Sequence, residues 1–169
     1  MKKLVLFMAF VCCVTSAFGK KRIEAYGDTK VLKENATAHL VLDFSRTTWE
    51  GGDSYMMRLG DKFPDRERIS TMAFKRYFNA TTKGLRITDD PEAKYEMIFR
   101  IMDLEQHMSG FLAGRFSKNI LGMVEIIDNS TQKIICRISI KRIEGDADFS
   151  IPGRIEKAYG AVAVAITDL

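Results

Sequence analysis

Cysteine, proline, histidine and tryptophan are all scarce in this chain of 169 residues, which has three, three, two and one of them respectively. Two of the three cysteines, Cys12 and Cys13, lie in an apolar run at the start. Only Cys136 remains after it, so the rest of the chain can form no internal disulfide and must be held by core packing. No apolar run reaches the roughly 20 residues needed to span a bilayer as a helix. Charge of one sign is also missing: 26 Lys plus Arg face 22 Asp plus Glu. That mixture gives no electrostatic footprint for nucleic acid. No Gly-x-Ser-x-Gly elbow, phosphate-binding glycine loop or His-Glu-x-x-His motif occurs, and no internal repeat or low-complexity linker. The expectation is therefore of no catalytic residues, no cofactor and no metal, since no such constellation stands out from the background of the sequence.

The chain does carry an export signal by its pattern. Lys2 and Lys3 form a positive start, Leu4 to Val14 an apolar stretch, and Thr15-Ser16-Ala17-Phe18-Gly19 a small and polar end. Ala17 and Gly19 suit the two small-residue positions before a cleavage point, which places cleavage after Gly19. Two other readings compete. A retained anchor would have to work with a short apolar run. Lipid attachment would need small residues before Cys12 or Cys13, where Phe10 and Val11 stand. Removing residues 1–19 leaves 150 residues with 24 Lys plus Arg against 22 Asp plus Glu, near neutrality. The expected organisation is a signal peptide over 1–19, an N-terminal extension over 20–36 and a single α/β domain over 37–169. The expected location is the periplasm or cell envelope, or the medium beyond it.

Periodicity assigns the elements. Thr37 to Phe44 alternates as a strand, followed by a long polar loop, 45–63, that holds Trp49 and Gly51-Gly52-Asp53. Residues 65–82 read as an amphipathic helix with Ile69, Met72, Ala73, Tyr77 and Ala80 on one face and Phe74 and Phe78 widening it. Gly84 is placed to end it. Strands follow at 85–88 and 95–104, then a second loop at 105–118 with Gly110 and Gly114. A hairpin pairs 120–127 with 133–143, and its second strand turns Arg137, Ser139 and Lys141 to a partly wet face. The last helix spans 152–168, with Ile155, Tyr159, Val162 and Ile166 as its stripe. Gly160 inside it suggests a tight contact. The order βαβββα gives an α+β fold with an α/β start: a mixed sheet of about five strands with two main helices on one face.

This pattern resembles the small α/β domains of bacterial cell-envelope proteins, such as the curli-secretion lipoprotein and the amino-terminal domain of TolB. The shared features are the early strand Leu40-Val41-Leu42-Asp43-Phe44, the glycine-led Gly84-Leu85-Arg86-Ile87, the opening Asp90-Pro91-Glu92-Ala93-Lys94-Tyr95 and the hairpin turn Asp128-Asn129-Ser130-Thr131-Gln132. The chain lacks a lipidated cysteine after its signal, and its 45–63 loop is unusually long. The resemblance implies a non-catalytic envelope domain that binds a partner or assembles, with an envelope protein or a second copy of itself as partner and peripheral membrane contact open to it.

Candidate chemistry is sparse. His39 and Asp43 share a strand face but stand about 13 Å apart, too far to bond. Asp103, Glu105 and His107 would line one face if their strand continued, either as metal ligands or as a solvated strand end. Cys136 among isoleucines reads as a buried strand residue. The strongest ligand position is the loop beyond the first strand, where open α/β sheets bind. Asp43, Trp49 and Asp53 are its candidate ligand-binding residues, with Trp49 as platform or folded over the core. A small-ligand carrier or an enzyme using this loop is the alternative to a partner-binding domain. Asn35, Asn79 and Asn129 stand in glycosylation sequons, relevant only in a eukaryotic secretory pathway.

Overall fold

The computed structural model describes residues 22–109 and 115–169, with side chains for all of these except 107–109 and 115–117. The expected signal peptide with its Gly19 cleavage point, Gly110, Gly114 and the His107 side chain fall outside the described residues.

The fold is a mixed α+β sandwich of one sheet and two main helices. The strands are β1 (Ile23–Gly27), β2 (Thr37–Asp43), β3 (Thr48–Trp49), β4 (Arg86–Thr88), β5 (Tyr95–Ser109), β6 (Arg115–Asp128) and β7 (Lys133–Glu144). The helices are α1 (Tyr55–Leu59), α2 (Phe63–Thr81) and α3 (Ile151–Thr167). The sheet order is β1-β7-β6-β5-β2-β4, with β3 pairing β5 off that path. β2 runs parallel to β4 and β5, as the strand-helix-strand crossover requires. β5, β6 and β7 form an antiparallel meander.

The sheet has seven strands, two more than expected. β1 lies in the segment expected as an N-terminal extension and zips onto β7, with Ile23 opposite Ile140 and Gly27 opposite Cys136. Val31 and Leu32, in a 3-10 turn after it, enter the core. β3 and α1 occupy the segment expected as an open loop at 45–63. The second expected loop is largely strand, because β5 and β6 extend to Ser109 and from Arg115.

The core lies between the helices and one face of the sheet. Leu40, Leu42, Met97, Phe99, Val124, Ile126, Ile138 and Ile140 alternate inward from neighbouring strands. α2 buries Ser70, Ala73, Phe74 and Phe78, so its inward face is rotated from the expected stripe, and Met72 is exposed. The two phenylalanines decide this. Each contributes about 2–3 kcal/mol by full burial, and Phe74 packs against Phe99. Pro64 and Pro152 stand in the first turns of α2 and α3, where a missing N–H costs nothing. Gly84 does not end α2; Thr82 does. Gly84 instead lets the backbone pass Lys33, whose carbonyl carbon would lie 2.4 Å from a Cβ placed there. Gly160 on α3 receives the ring of Tyr77 from α2, with ring atoms 2.8–3.0 Å from a Cβ position.

α2 and α3 run in the same direction: Arg76 pairs with Glu156, Tyr77 meets Gly160, and Thr81 bonds Thr167. Both therefore begin at the end of the sandwich where β2, β5 and β7 finish. At the sheet edge, Asn79 closes β4: its Nδ2 donates to the Ile87 carbonyl at 2.8 Å and its Oδ1 accepts from the Ile87 N–H at 2.7 Å. Asn129 donates to the Ala93 carbonyl at 2.8 Å. The side-chain amides of two sequon asparagines are thus engaged in holding the fold.

The face without helices carries an ionic ladder across four strands. Asp43 accepts from Arg100 at 2.8 Å, Arg100 meets Glu125 at 3.2 Å, and Arg137 donates to Glu125 at 2.8 Å. Lys141 and Glu24 add a further pair at 2.5 Å. This is the partly wet face expected from Arg137, Ser139 and Lys141.

Candidate functional site

A β-bulge at Met102 sets up the site. It lets Ile101 and Leu104 both face the core although they are three apart. Asp103 then points away from the core and accepts from the Thr48 hydroxyl at 2.6 Å and the Gly51 N–H at 3.0 Å. The Glu50 N–H bonds the Leu104 carbonyl at 3.0 Å, and the Thr47 hydroxyl bonds the Ile101 carbonyl at 2.7 Å. Glu50 and Gly51 take left-handed φ values of 54° and 70° to make this turn. Asp103 is therefore spent on positioning β3. Among the described residues no three His, Cys, Asp or Glu side chains come together as a metal would need.

The pinned turn presents Trp49. Its ring stacks on Tyr55 at 5.8 Å and 8° between planes. Tyr55 in turn stacks on Phe44 at 6.0 Å and meets Phe63 edge-on at 6.3 Å. Tyr55 is buried, which pushes its hydroxyl up to about 12, with Arg66 opposing the rise. These rings cap the core beyond the last inward row of Leu104, Ile120 and Ile143.

Lys118 is the unexpected member. On β6 the inward positions run Ile126, Val124, Gly122, Ile120 and then Lys118. A lysine thus takes the place of the next core residue, and it is only 4% exposed. Its Nζ lies 4.8 Å from the Trp49 ring centroid and 5.8 Å from that of Tyr55. The Arg58 guanidinium also stands over Trp49, at 5.4 Å. Burial brings the Lys118 ammonium down to about 8, and the charges of Arg154 and Arg66 push the same way. Arg66 comes from the first turn of α2 and Arg154 from that of α3. Arg154 is 7% exposed and donates to the Ser150 carbonyl at 3.2 Å.

No carboxylate pairs with Lys118 or Arg66 among the described residues. Residues 1–21 and 107–117 contain no Asp or Glu. Two cations with no acid paired to them among the described residues therefore act on one another beside one aromatic stack, with Arg154 also acting on Lys118 and Arg58 over Trp49. Such an arrangement can hold an anion against a flat apolar wall.

The three residues expected to bind ligand do not come together. Trp49 joins the cluster. Asp53 meets it only through its backbone, its carbonyl accepting from the Trp49 N–H at 2.9 Å. Asp43 faces the opposite side of the sheet, where it accepts from the Ser45 N–H at 3.0 Å, the Ser45 hydroxyl at 2.6 Å and Arg100. These bonds hold its carboxyl below the usual range, the Ser45 bonds more than Arg100. There it lines a separate cavity of about 510 Å³ with Arg46, Arg100, Met102 and Met123. Cys136 is buried, and burial pushes its thiol up.

No protein-family model matches this chain, and no curated protein matches it in sequence. Among solved structures it is similar to a PelC dodecamer from Paraburkholderia phytofirmans, with 14% identity over 87% of this chain and 97% of that one, at a TM-score of 0.48. A point variant of that PelC dodecamer gives 11% identity over 86% and 95%, with the same TM-score of 0.48. Protein XCC0632 from Xanthomonas campestris, of family DUF330, gives 11% over 79% and 83%, with a TM-score of 0.41. These scores lie below 0.5, and nothing about this chain's activity follows from them. Among the described residues no helix is long and apolar enough to cross a membrane.

Proposed function

We propose that this chain is a non-catalytic binding domain exported to the cell envelope, recognising its partner or ligand through the Trp49–Lys118 end of the sandwich. The observation that carries the reading is Lys118: a buried ammonium against Trp49 and Tyr55 with no acid paired to it among the described residues. A cation kept at such a cost, at the end of the sheet where α/β folds bind, marks a recognition site more readily than a folding element. The export part rests on the Lys2 to Gly19 pattern, and the likeness to envelope domains of the curli-secretion and TolB type belongs to the same proposal. A small-ligand carrier is the second reading, favoured by the flat Trp49 face.

The test places a photo-crosslinking residue at Met57, 84% exposed on α1 beside the cluster, in cells producing the full chain. A second variant carries it at Thr131, in the β6–β7 turn. A discrete adduct from position 57 and none from 131 is expected, and mass spectrometry should find a product beginning at Lys20. The same adducts from both positions, or none from either, would overturn the site assignment.

A further inference from the structure

We infer that the Lys118–Arg66 pair, backed by Arg154 and Arg58, is a site for a multiply charged oxyanion of the phosphate class. The inference rests on the recognition site proposed above and adds the chemistry of what it takes.

Charge is the first ground. Lys118 and Arg66 have no carboxylate among the described residues, and Arg154 and Arg58 bring two further cations to the same end. A single carboxylate would leave one of the pair uncompensated; a phosphate dianion would neutralise both. Donor geometry is the second. A lysine offers a point charge and an arginine a planar fork, the two donor types that phosphate oxygens accept from together. Placement is the third. Arg66 and Arg154 lie in the first turns of α2 and α3. The partial positive charge of each helix start therefore adds to theirs. Lys118 is the independent observation, a charged side chain more than nine-tenths buried at the place where both helices begin. The rings complete the site by excluding water from one side, which strengthens each charge–charge contact.

Trp49 is the sole tryptophan and touches Lys118, so its fluorescence reads the site directly. The full exported chain is titrated with inorganic phosphate, with glycerol phosphate in a parallel arm and sodium chloride at matched ionic strength as control. A saturable change with phosphate, absent with chloride, is expected. Affinity should fall at least about tenfold in Lys118→Met and in Arg66→Gln, each shown folded by circular dichroism. Glycerol phosphate binding as well as phosphate or better would show that the anion is a phosphoryl group on a larger molecule; phosphate alone would show the free ion. A response no different from chloride in both arms would overturn the inference. So would a saturable response that survives unchanged in both variants. If crosslinks form from position 57 while every anion titration is flat, the recognition site stands and the oxyanion does not.

Discussion

Replacing Lys118 with methionine removes a buried charge and keeps an unbranched side chain of similar length. In the fold, burial first and then Arg154 and Arg66 lower the ammonium from 10.5 to about 8. That gap corresponds to about 3 kcal/mol of lost native stability while the lysine is charged in both folded and unfolded chains. Below pH 8 both states hold the proton and the full cost stands. Between about pH 8 and 10.5 the folded state has released its proton while the unfolded state keeps it, so the cost fades and Lys118 contributes a rise in stability with pH across that window. Lys118→Met should therefore be about 1–3 kcal/mol more stable than wild type at pH 7, and this lead should shrink by about 2 kcal/mol by pH 10. Urea unfolding of both proteins at pH 7 and pH 10, in phosphate-free buffer, measures this. Subtracting one from the other cancels the titration of every other group. Parallel pH dependences, or a variant less stable than wild type at pH 7, would refute the reasoning.

Three further substitutions probe the frame that holds the site. Tyr159 is buried and its hydroxyl makes no well-formed hydrogen bond among the described residues, although the Ser70 hydroxyl stands near it; Tyr159→Phe should be neutral or stabilise by up to about 1 kcal/mol, read from the urea midpoint. Asn79→Ala strips both partners from the Ile87 backbone and should cost about 1–3 kcal/mol, with faster hydrogen exchange at Ile87 as the local signature. Gly160→Ala improves helix propensity but drives a methyl into the Tyr77 ring. A net loss of about 1–2 kcal/mol in thermal unfolding is expected, and Tyr77→Ala in the same chain should relieve the clash.

The elements with a clear period are legible in the sequence: β2, α2, the β6–β7 hairpin and α3 lie within a few residues of where alternation or the helical stripe puts them. β1 is not, because Ile23-Glu24-Ala25-Tyr26-Gly27 is short and half-exposed and its strand state comes from pairing with β7. The bulge at Met102 breaks the alternation of β5 between Ile101 and Leu104, which makes the far half of that strand read as loop. Trp49 is legible because a lone tryptophan in a long polar stretch is conspicuous. Asp43 is close to it in sequence, yet the two-residue period opposite the buried Leu42 sends the aspartate to the other face. Lys118 escapes a search of the loops for the converse reason: the same period, counted back from Ile126 through Val124, Gly122 and Ile120, puts a lysine on the core row. A polar residue on such a row is a stronger signal than a polar residue in a loop.

Where a cation needs an acid for structural reasons, this chain supplies one. Arg100 and Arg137 share the buried Glu125, and Lys141 has Glu24. On the helices Arg76 has Glu156 and Lys75 has Asp89. Acids are plentiful, at 22, so a missing partner for Lys118 and Arg66 does not reflect scarcity. An apolar residue at position 118 would serve the core better, and local rules are broken in this way where binding sets the residue. The cost then depends on whether the anion is present. A ligand that binds only the folded state adds about 2.7 kcal/mol at a hundred times its dissociation constant, close to the burden of the uncompensated lysine. The wild type at saturating phosphate should thus approach the phosphate-free stability of Lys118→Met at pH 7, while the variant, its affinity at least about tenfold lower, gains at least about 1.3 kcal/mol less than the wild type. A wild type whose urea midpoint moves no further than the variant's as phosphate is added would show that the buried charge is not waiting for an anion.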